Sequence, residues 1–234
     1  MPGMCYNFHS YAFKAFFWTM PTALGNRKGL DRMIAIIDYD AGNLKSVEKA
    51  LLALGQECEI TRDFKKIEAA DKVILPGVGS FGDAMAQLKK YELDKVIREV
   101  TEKKTPFLGI CLGLQLLFEG SDESEGIEGL HLLDGKILKI PDAEGLKIPH
   151  VGWNSLKLIH DGRLFANMEK EPYVYFVHSY YLKAEDESIV KAVTEYGTTI
   201  HASVEKDNLF ACQFHPEKSG AAGLQILSNF TKVQ

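Results

Sequence analysis

Phe107-Leu108-Gly109-Ile110-Cys111-Leu112-Gly113-Leu114-Gln115-Leu116-Leu117-Phe118 reads as a buried strand, a tight turn and the start of a helix. Phe107–Ile110 shows no polar alternation, the mark of a strand covered on both faces. Cys111 ends it, and a run of helical period continues through Phe118. The same alternation extends outward. Met33–Asp38 (MIAIID) is a buried strand, and Ala41-Gly42 turns the chain into a helix with Leu44, Val47, Leu51 and Leu54 on one face, closed by Gly55. Val73–Leu75 is a further strand, ended by Pro76-Gly77. Apolar strands alternating with helices predict an α/β fold around one open, mostly parallel sheet with helices on both faces. The second half adds short strands at Lys136–Ile140, Val174–His178, Ile189–Val193, Thr199–Val204 and Phe210–Phe214, then a closing helix around Leu224–Phe230. Glu119–Glu128, acidic and punctuated by glycine, is expected to be a solvated loop without a role.

With 234 residues, 46% hydrophobic and 25% charged, the chain has the composition of a globular protein, and its net charge of -5 disfavours a nucleic-acid partner. Cysteines 5, 58, 111 and 212 show no close pairing, so neither a disulfide framework nor a zinc site is suggested, and a reducing, cytoplasmic setting is expected. No metal or organic cofactor is indicated. Residues 1–32 are rich in aromatics, carry one acidic residue, Asp31, and hold no apolar run long enough to span a bilayer. Membrane insertion is therefore not expected. That segment is read as a disordered extension, with the domain proper running over 33–234.

Three features carry chemistry. Gly109-Ile110-Cys111-Leu112-Gly113 places a thiol on a strand-to-helix turn, where helix N–H groups favour a thiolate and can hold an oxyanion. His215-Pro216-Glu217 follows the strand Leu209–Phe214. In an extended segment residues two apart point the same way, so the carboxylate can orient an imidazole that takes the thiol proton and returns it to a leaving group. Pro76-Gly77-Val78-Gly79 ends the preceding strand, and its glycines allow N–H groups to be aimed into the same site, sharing an oxyanion hole with the Leu112 N–H.

Together with Asp38-Tyr39-Asp40-Ala41-Gly42-Asn43, Pro149-His150-Val151-Gly152-Trp153-Asn154, Val177-His178-Ser179-Tyr180 and Gln213-Phe214-His215-Pro216-Glu217-Lys218, these features make the chain from Met33 onward resemble the class I (triad) glutamine amidotransferases. Among them it is similar to the glutaminase subunits of imidazole glycerol phosphate synthase. The resemblance implies a flavodoxin-like sheet and a triad of Cys111 as nucleophile, His215 as base then acid, and Glu217 as orienter. It implies that Gln115, His178, Ser179 and Tyr180 hold glutamine beside Gly77 and Gly79, and that Val78 and Leu112 form the oxyanion hole. It implies that ammonia passes to a (β/α)8 cyclase subunit making imidazole glycerol phosphate and AICAR in histidine biosynthesis, with Asn43, Trp153, Tyr175 and Lys218 at or near the docking face. Val78 departs from the Pro-Gly-Gly of many class members. A glutaminase serving another synthase, a free-standing amide hydrolase and a non-catalytic subunit of the same fold are the competing readings.

Overall fold

The computed structural model describes residues 33–234; the extension expected over residues 1–32 lies outside them. In chain order the elements are β1 (Met33–Ile37), α1 (Leu44–Ala53), β2 (Glu57–Thr61), α2 (Phe64–Ala69), β3 (Lys72–Gly77), α3 (Phe81–Lys90), α4 (Leu93–Glu102), β4 (Phe107–Cys111) and α5 (Leu112–Leu116). There follow β5 (Gly135–Lys139), β6 (His150–Ser155), β7 (Lys157–Leu158), β8 (Tyr173–His178), β9 (Tyr180–Ala184), β10 (Val190–Glu195), β11 (Thr199–Lys206), β12 (Leu209–Cys212) and α6 (Gly220–Lys232).

The central sheet has the order β2-β1-β3-β4-β12-β11-β10-β7. Its first five strands pair in parallel and the last three add antiparallel. Because successive strand residues face opposite sides, each of β1, β3, β4 and β12 feeds two cores. Ala35, Ile37, Val73, Leu75, Phe107 and Ala211 pack with residues of α2 to α5, including Ile67, Met85, Ile97 and Leu114. Ile36, Ile74, Leu108, Ile110, Phe210 and Cys212 pack with Val47 and Leu51 of α1 and with Ile226, Leu227 and Phe230 of α6. Helices thus cover both faces, as the unbroken apolar runs predicted.

Several boundaries differ from the sequence reading for local reasons. Helix α5 stops at Leu116, and tighter turns, Leu117 N–H to Leu114 O and Phe118 N–H to Gln115 O, complete the run to Phe118. β12 ends at Cys212, two residues short of Phe214. The strand within Lys136–Ile140 lies outside the main sheet, in a two-stranded ribbon with β9, while β8 pairs with β6 in another. The acidic stretch Glu119–Glu128 is a solvent-facing loop, as expected, but two of its residues plug the start of α3. Glu123 Oε2 accepts from the Phe81 N–H at 2.8 Å and Ser124 Oγ from the Gly82 N–H at 3.0 Å, satisfying orphan donors at the start of α3. Among the described residues no helix is long and apolar enough to cross a membrane.

The pairing register places the chemistry. Gly77 lies opposite Cys111, and Cys212 opposite Ile110, so the carboxyl ends of β3, β4 and β12 finish together. Ligands collect beyond such ends in open α/β sheets.

Candidate active site

Cys111 sits at φ 55°, ψ -107°, a backbone conformation that strains any residue with a Cβ. The two flanking glycines make that turn fit. A Cβ on Gly113 would lie 1.8 Å from the Leu75 carbonyl oxygen of β3, and one on Gly109 would lie 2.7 Å from the Gly113 carbonyl oxygen. Gly-x-Cys-x-Gly is therefore required first by the close seating of α5 on β3 and β4. The strained cysteine is left at the carboxyl end of β4, its sulfur 3.7 Å from Gln213 Nε2 and 4.0 Å from the Val177 carbonyl.

His215 and Glu217 meet beneath it. Glu217 Oε1 lies 2.8 Å from His215 Nδ1, with both side chains essentially inaccessible. The local geometry differs from the extended alternation expected: Pro216–Lys218 is a 3-10 turn that curls the carboxylate back onto the ring. The His215 backbone is fixed through its N–H to the Tyr175 carbonyl at 2.9 Å, and its carbonyl accepts from Ser219 Oγ at 2.6 Å. Burial alone would push the imidazole's pKa down. The adjacent Cys111 sulfur and the Glu217 carboxylate more than offset that and raise it to about 9. Nε2 is buried and makes no hydrogen bond with another described residue, which leaves it available to the sulfur and to a reacting group.

A ring with pKa near 6.5 when unfolded and about 9 when folded binds its proton more tightly in the native state. Its stabilising contribution is complete below about pH 6.5 and is lost as pH rises through about 9. Chemical denaturation is expected to show the unfolding free energy falling across that window, and falling less in Glu217→Gln. Equal profiles would contradict the assignment of the raised pKa to this pair.

Beside Cys111 opens a cleft of about 300 Å³ lined by Cys111, Leu112, Val78, Gly79, Gln115, Glu123, Pro149, Val177, His178, Ser179 and Tyr180. Gly77 is buried below it, its bare Cα facing the Tyr39 hydroxyl, so of the residues expected to hold substrate it is the one that does not line the cleft.

The profile of the family described as Glutamine amidotransferase class-I matches residues 35–233. The chain belongs to this family. It is 52% identical over 201 residues to "Imidazole glycerol phosphate synthase subunit HisH" of Caldanaerobacter subterraneus subsp. tengcongensis, covering 86% of this chain and 98% of that one. It is 48% identical over 201 residues to the protein of the same name from Methanocaldococcus jannaschii, covering 86% and 100%. Among solved structures, that titled "Structure of PurLQS from Thermotoga maritima" superposes with a TM-score of 0.68 at 23% identity over 86% of this chain and 98% of that one, a likeness of fold alone.

Residues that the sequence did not assign to the amidotransferase site also reach it. Gln213, fully buried, accepts from Gln115 Nε2 at 3.1 Å and turns its own Nε2 to the Cys111 sulfur, so one amide ties the cleft wall to Cys111. Asn43, expected at a docking face, is half-buried and donates from Nδ2 to Glu217 Oε1 at 2.5 Å; it steadies the carboxylate. Arg62, bonded to both Asp38 and Asp40 at 2.7 Å, pins the loop that delivers Asn43. The signal for these contacts was faint, because each joins segments far apart in the chain.

On the opposite wall His178 Nδ1 lies 2.9 Å from the Tyr180 carbonyl and must donate to it. His178 Nε2 is then free to accept from His150 Nδ1 at 3.0 Å. Burial lowers His178 to about 3 and His150 to about 4, which keeps both rings neutral and that tautomer chain intact. Gln115 Nε2 also donates to the Tyr180 carbonyl, at 3.1 Å, so the Ser179–Tyr180 backbone is held from two sides. Trp153 remains exposed, as do Val151 and Tyr173 beside it, at 56%, 56% and 61%. Tyr175 packs edge-on to Trp153 at 6.1 Å, and Lys218 is solvent-facing.

Proposed function

We infer that this chain is the glutamine-hydrolysing subunit of an imidazole glycerol phosphate synthase, supplying ammonia for histidine biosynthesis. The observation that carries the reading is the strained Cys111 lining the cleft, with its sulfur adjacent to the imidazole of a buried His215–Glu217 pair. In this mechanism the Cys111 sulfur attacks the carboxamide carbon of glutamine after His215 Nε2 has taken its proton. The carbonyl oxygen becomes an oxyanion held by the Leu112 and Val78 N–H groups. His215 returns the proton to the departing nitrogen, ammonia leaves, and a glutamyl thioester remains on Cys111. Water, deprotonated by the same imidazole, then attacks the thioester and releases glutamate and the free thiol. Glu217, steadied by Asn43, stabilises the imidazolium that forms twice in each cycle. Gln115, Ser179 and Tyr180 line the space for the substrate's amino-acid end.

Ammonia passes to a (β/α)8 cyclase subunit that makes imidazole glycerol phosphate and AICAR. The exposed apolar strip of Val151, Trp153 and Tyr173 on the β6–β8 ribbon, flanked by Tyr175 and Lys218, supports docking on this face. The catalytic domain begins at Met33 in this reading, and the assembly works in the cytosol.

Val78 gives the site its dependence on that partner. It stays out of the positive-φ region, which valine resists, and its side chain closes over Gly42. The Val78 N–H is turned from the oxyanion position in the isolated subunit, and docking favours the turned peptide. Glutamate release, assayed with and without the cyclase, tests both the function and the dependence. The wild type is expected to be nearly inactive alone and active with the cyclase. Val78→Gly is expected to raise the unpartnered rate about tenfold or more by removing the conformational penalty. An unchanged unpartnered rate with undiminished stimulation by the cyclase would contradict the peptide-turn account.

A further inference from the structure

Tyr39 follows β1 by two residues, and its ring lies in the apolar cluster that holds Leu75, Phe81 and Leu112. The residue is 2% exposed, and its hydroxyl makes no hydrogen bond with any described residue. Packing needs no hydroxyl here, since phenylalanine would fill the same apolar volume, and a buried polar atom without a partner is disfavoured. The position of that oxygen is specific. A Cβ built on Gly77 would lie 2.0 Å from it and 3.1 Å from Leu112 Cβ. The hydroxyl therefore occupies the space that any side chain at residue 77 would take, directly under the first peptide of the oxyanion loop. Gly77 in turn pairs with the nucleophile Cys111 across β3 and β4.

We propose that Tyr39 is a positioning residue for the oxyanion loop, its hydroxyl donating to the Gly77 carbonyl when the Gly77–Val78 peptide turns its N–H into the cleft. The two polar atoms of a trans peptide point to opposite sides of the chain. Turning the Val78 N–H outward to an oxyanion swings the Gly77 carbonyl inward, and inward of Gly77 stands Tyr39 Oη. The turned state asks Val78 for an unfavourable backbone angle. It gains in exchange a buried hydrogen bond that the resting state lacks, so the hydroxyl biases the equilibrium toward the competent loop. Burial, with Cys111 adding to it, pushes the phenol's pKa up, so Tyr39 keeps the proton it has to donate. The requirement for glycine at 77 follows from the same contact.

This inference rests on the glutaminase reading and on the Val78 N–H as an oxyanion donor, and the test separates the role of Tyr39 from the glutaminase reading. Tyr39→Phe and wild type are each assayed with the cyclase for glutamate release, and each isolated subunit is melted. The variant is expected to lose about tenfold in kcat, the worth of one hydrogen bond made only in the turned state, with KM for glutamine within about twofold. Its melting temperature is expected to equal or exceed that of wild type, because the substitution deletes an unpartnered buried hydroxyl. An unchanged kcat, a loss carried by KM alone, or a melting temperature lowered by several degrees would overturn the role of Tyr39. A wild-type complex that releases no glutamate would instead sink the glutaminase reading.

Discussion

Replacing Cys111 with alanine is expected to lower glutamine hydrolysis by the cyclase-bound subunit at least about a thousandfold, because no other group can form the thioester. Neither of the other two thiols among the described residues substitutes. Cys212 is fully buried with its pKa pushed well up by that burial, and Cys58 lies on strand β2 at the edge of the sheet. The fold should survive the change, since alanine accepts the Cys111 backbone no worse than cysteine does. Synthesis by the complex from added ammonia should therefore persist at close to the wild-type rate. Assays with glutamine and with ammonium salt as alternative nitrogen sources check both halves. Glutamine-dependent turnover retained in Cys111→Ala would remove this residue from the reaction.

Gly113→Ala is expected to be among the most damaging single-methyl changes in the chain. The added carbon would meet the backbone oxygen of Leu75 at 1.8 Å, and a strand carbonyl cannot rotate away as a flexible side chain would. Overpacking commonly costs about 1–3 kcal/mol; with a backbone obstacle on a central strand, about 4 kcal/mol or more is expected. That corresponds to a melting temperature lowered by roughly 10 °C in a domain of this size. Any folded fraction should also lose activity, because α5 must lift from β3 and carry the Cys111 turn and the Leu112 N–H with it. Gly126→Ala is the control: its φ of 78° is unfavourable for alanine, but nothing lies within 4 Å of the added carbon. About 1 kcal/mol is expected there. Equal melting temperatures for the two variants would refute the close-seating account of the glycine pair.

What could be read in the sequence was what local chemistry determines. β1, β3 and β4 announced themselves as apolar runs because both of their faces are covered. β2, written Glu57-Cys58-Glu59-Ile60-Thr61, went unread because it is an edge strand whose alternating polar residues look like loop. Cys111, His215 and Glu217 could be picked out because each lies at a strand end beside its own turn signal. Asn43 and Gln213 could be quoted but not assigned, since 174 residues separate Asn43 from Glu217 and 102 separate Gln213 from Cys111. The plugging of α3 by Glu123 and Ser124 was hidden for the same reason, because an acidic, glycine-punctuated stretch looks identical whether it meets water or an unsatisfied helix start. The His215–Glu217 contact was anticipated through an extended strand and is made by a 3-10 turn. Residue identity was sufficient where proline and sequence proximity confine both partners to one short segment.

In the proposed mechanism Cys111, activated by His215 and Glu217, bonds covalently to the glutamine carboxamide carbon. Peptide mass spectrometry on the cyclase-bound subunit after treatment with a glutamine-analogue chloroketone addresses it most directly. One adduct on Cys111, formed in step with the loss of glutaminase activity and slowed by glutamine, is the outcome this mechanism requires. Inactivation with Cys111 unmodified, or with the label on Cys58 or Cys212 instead, would contradict it.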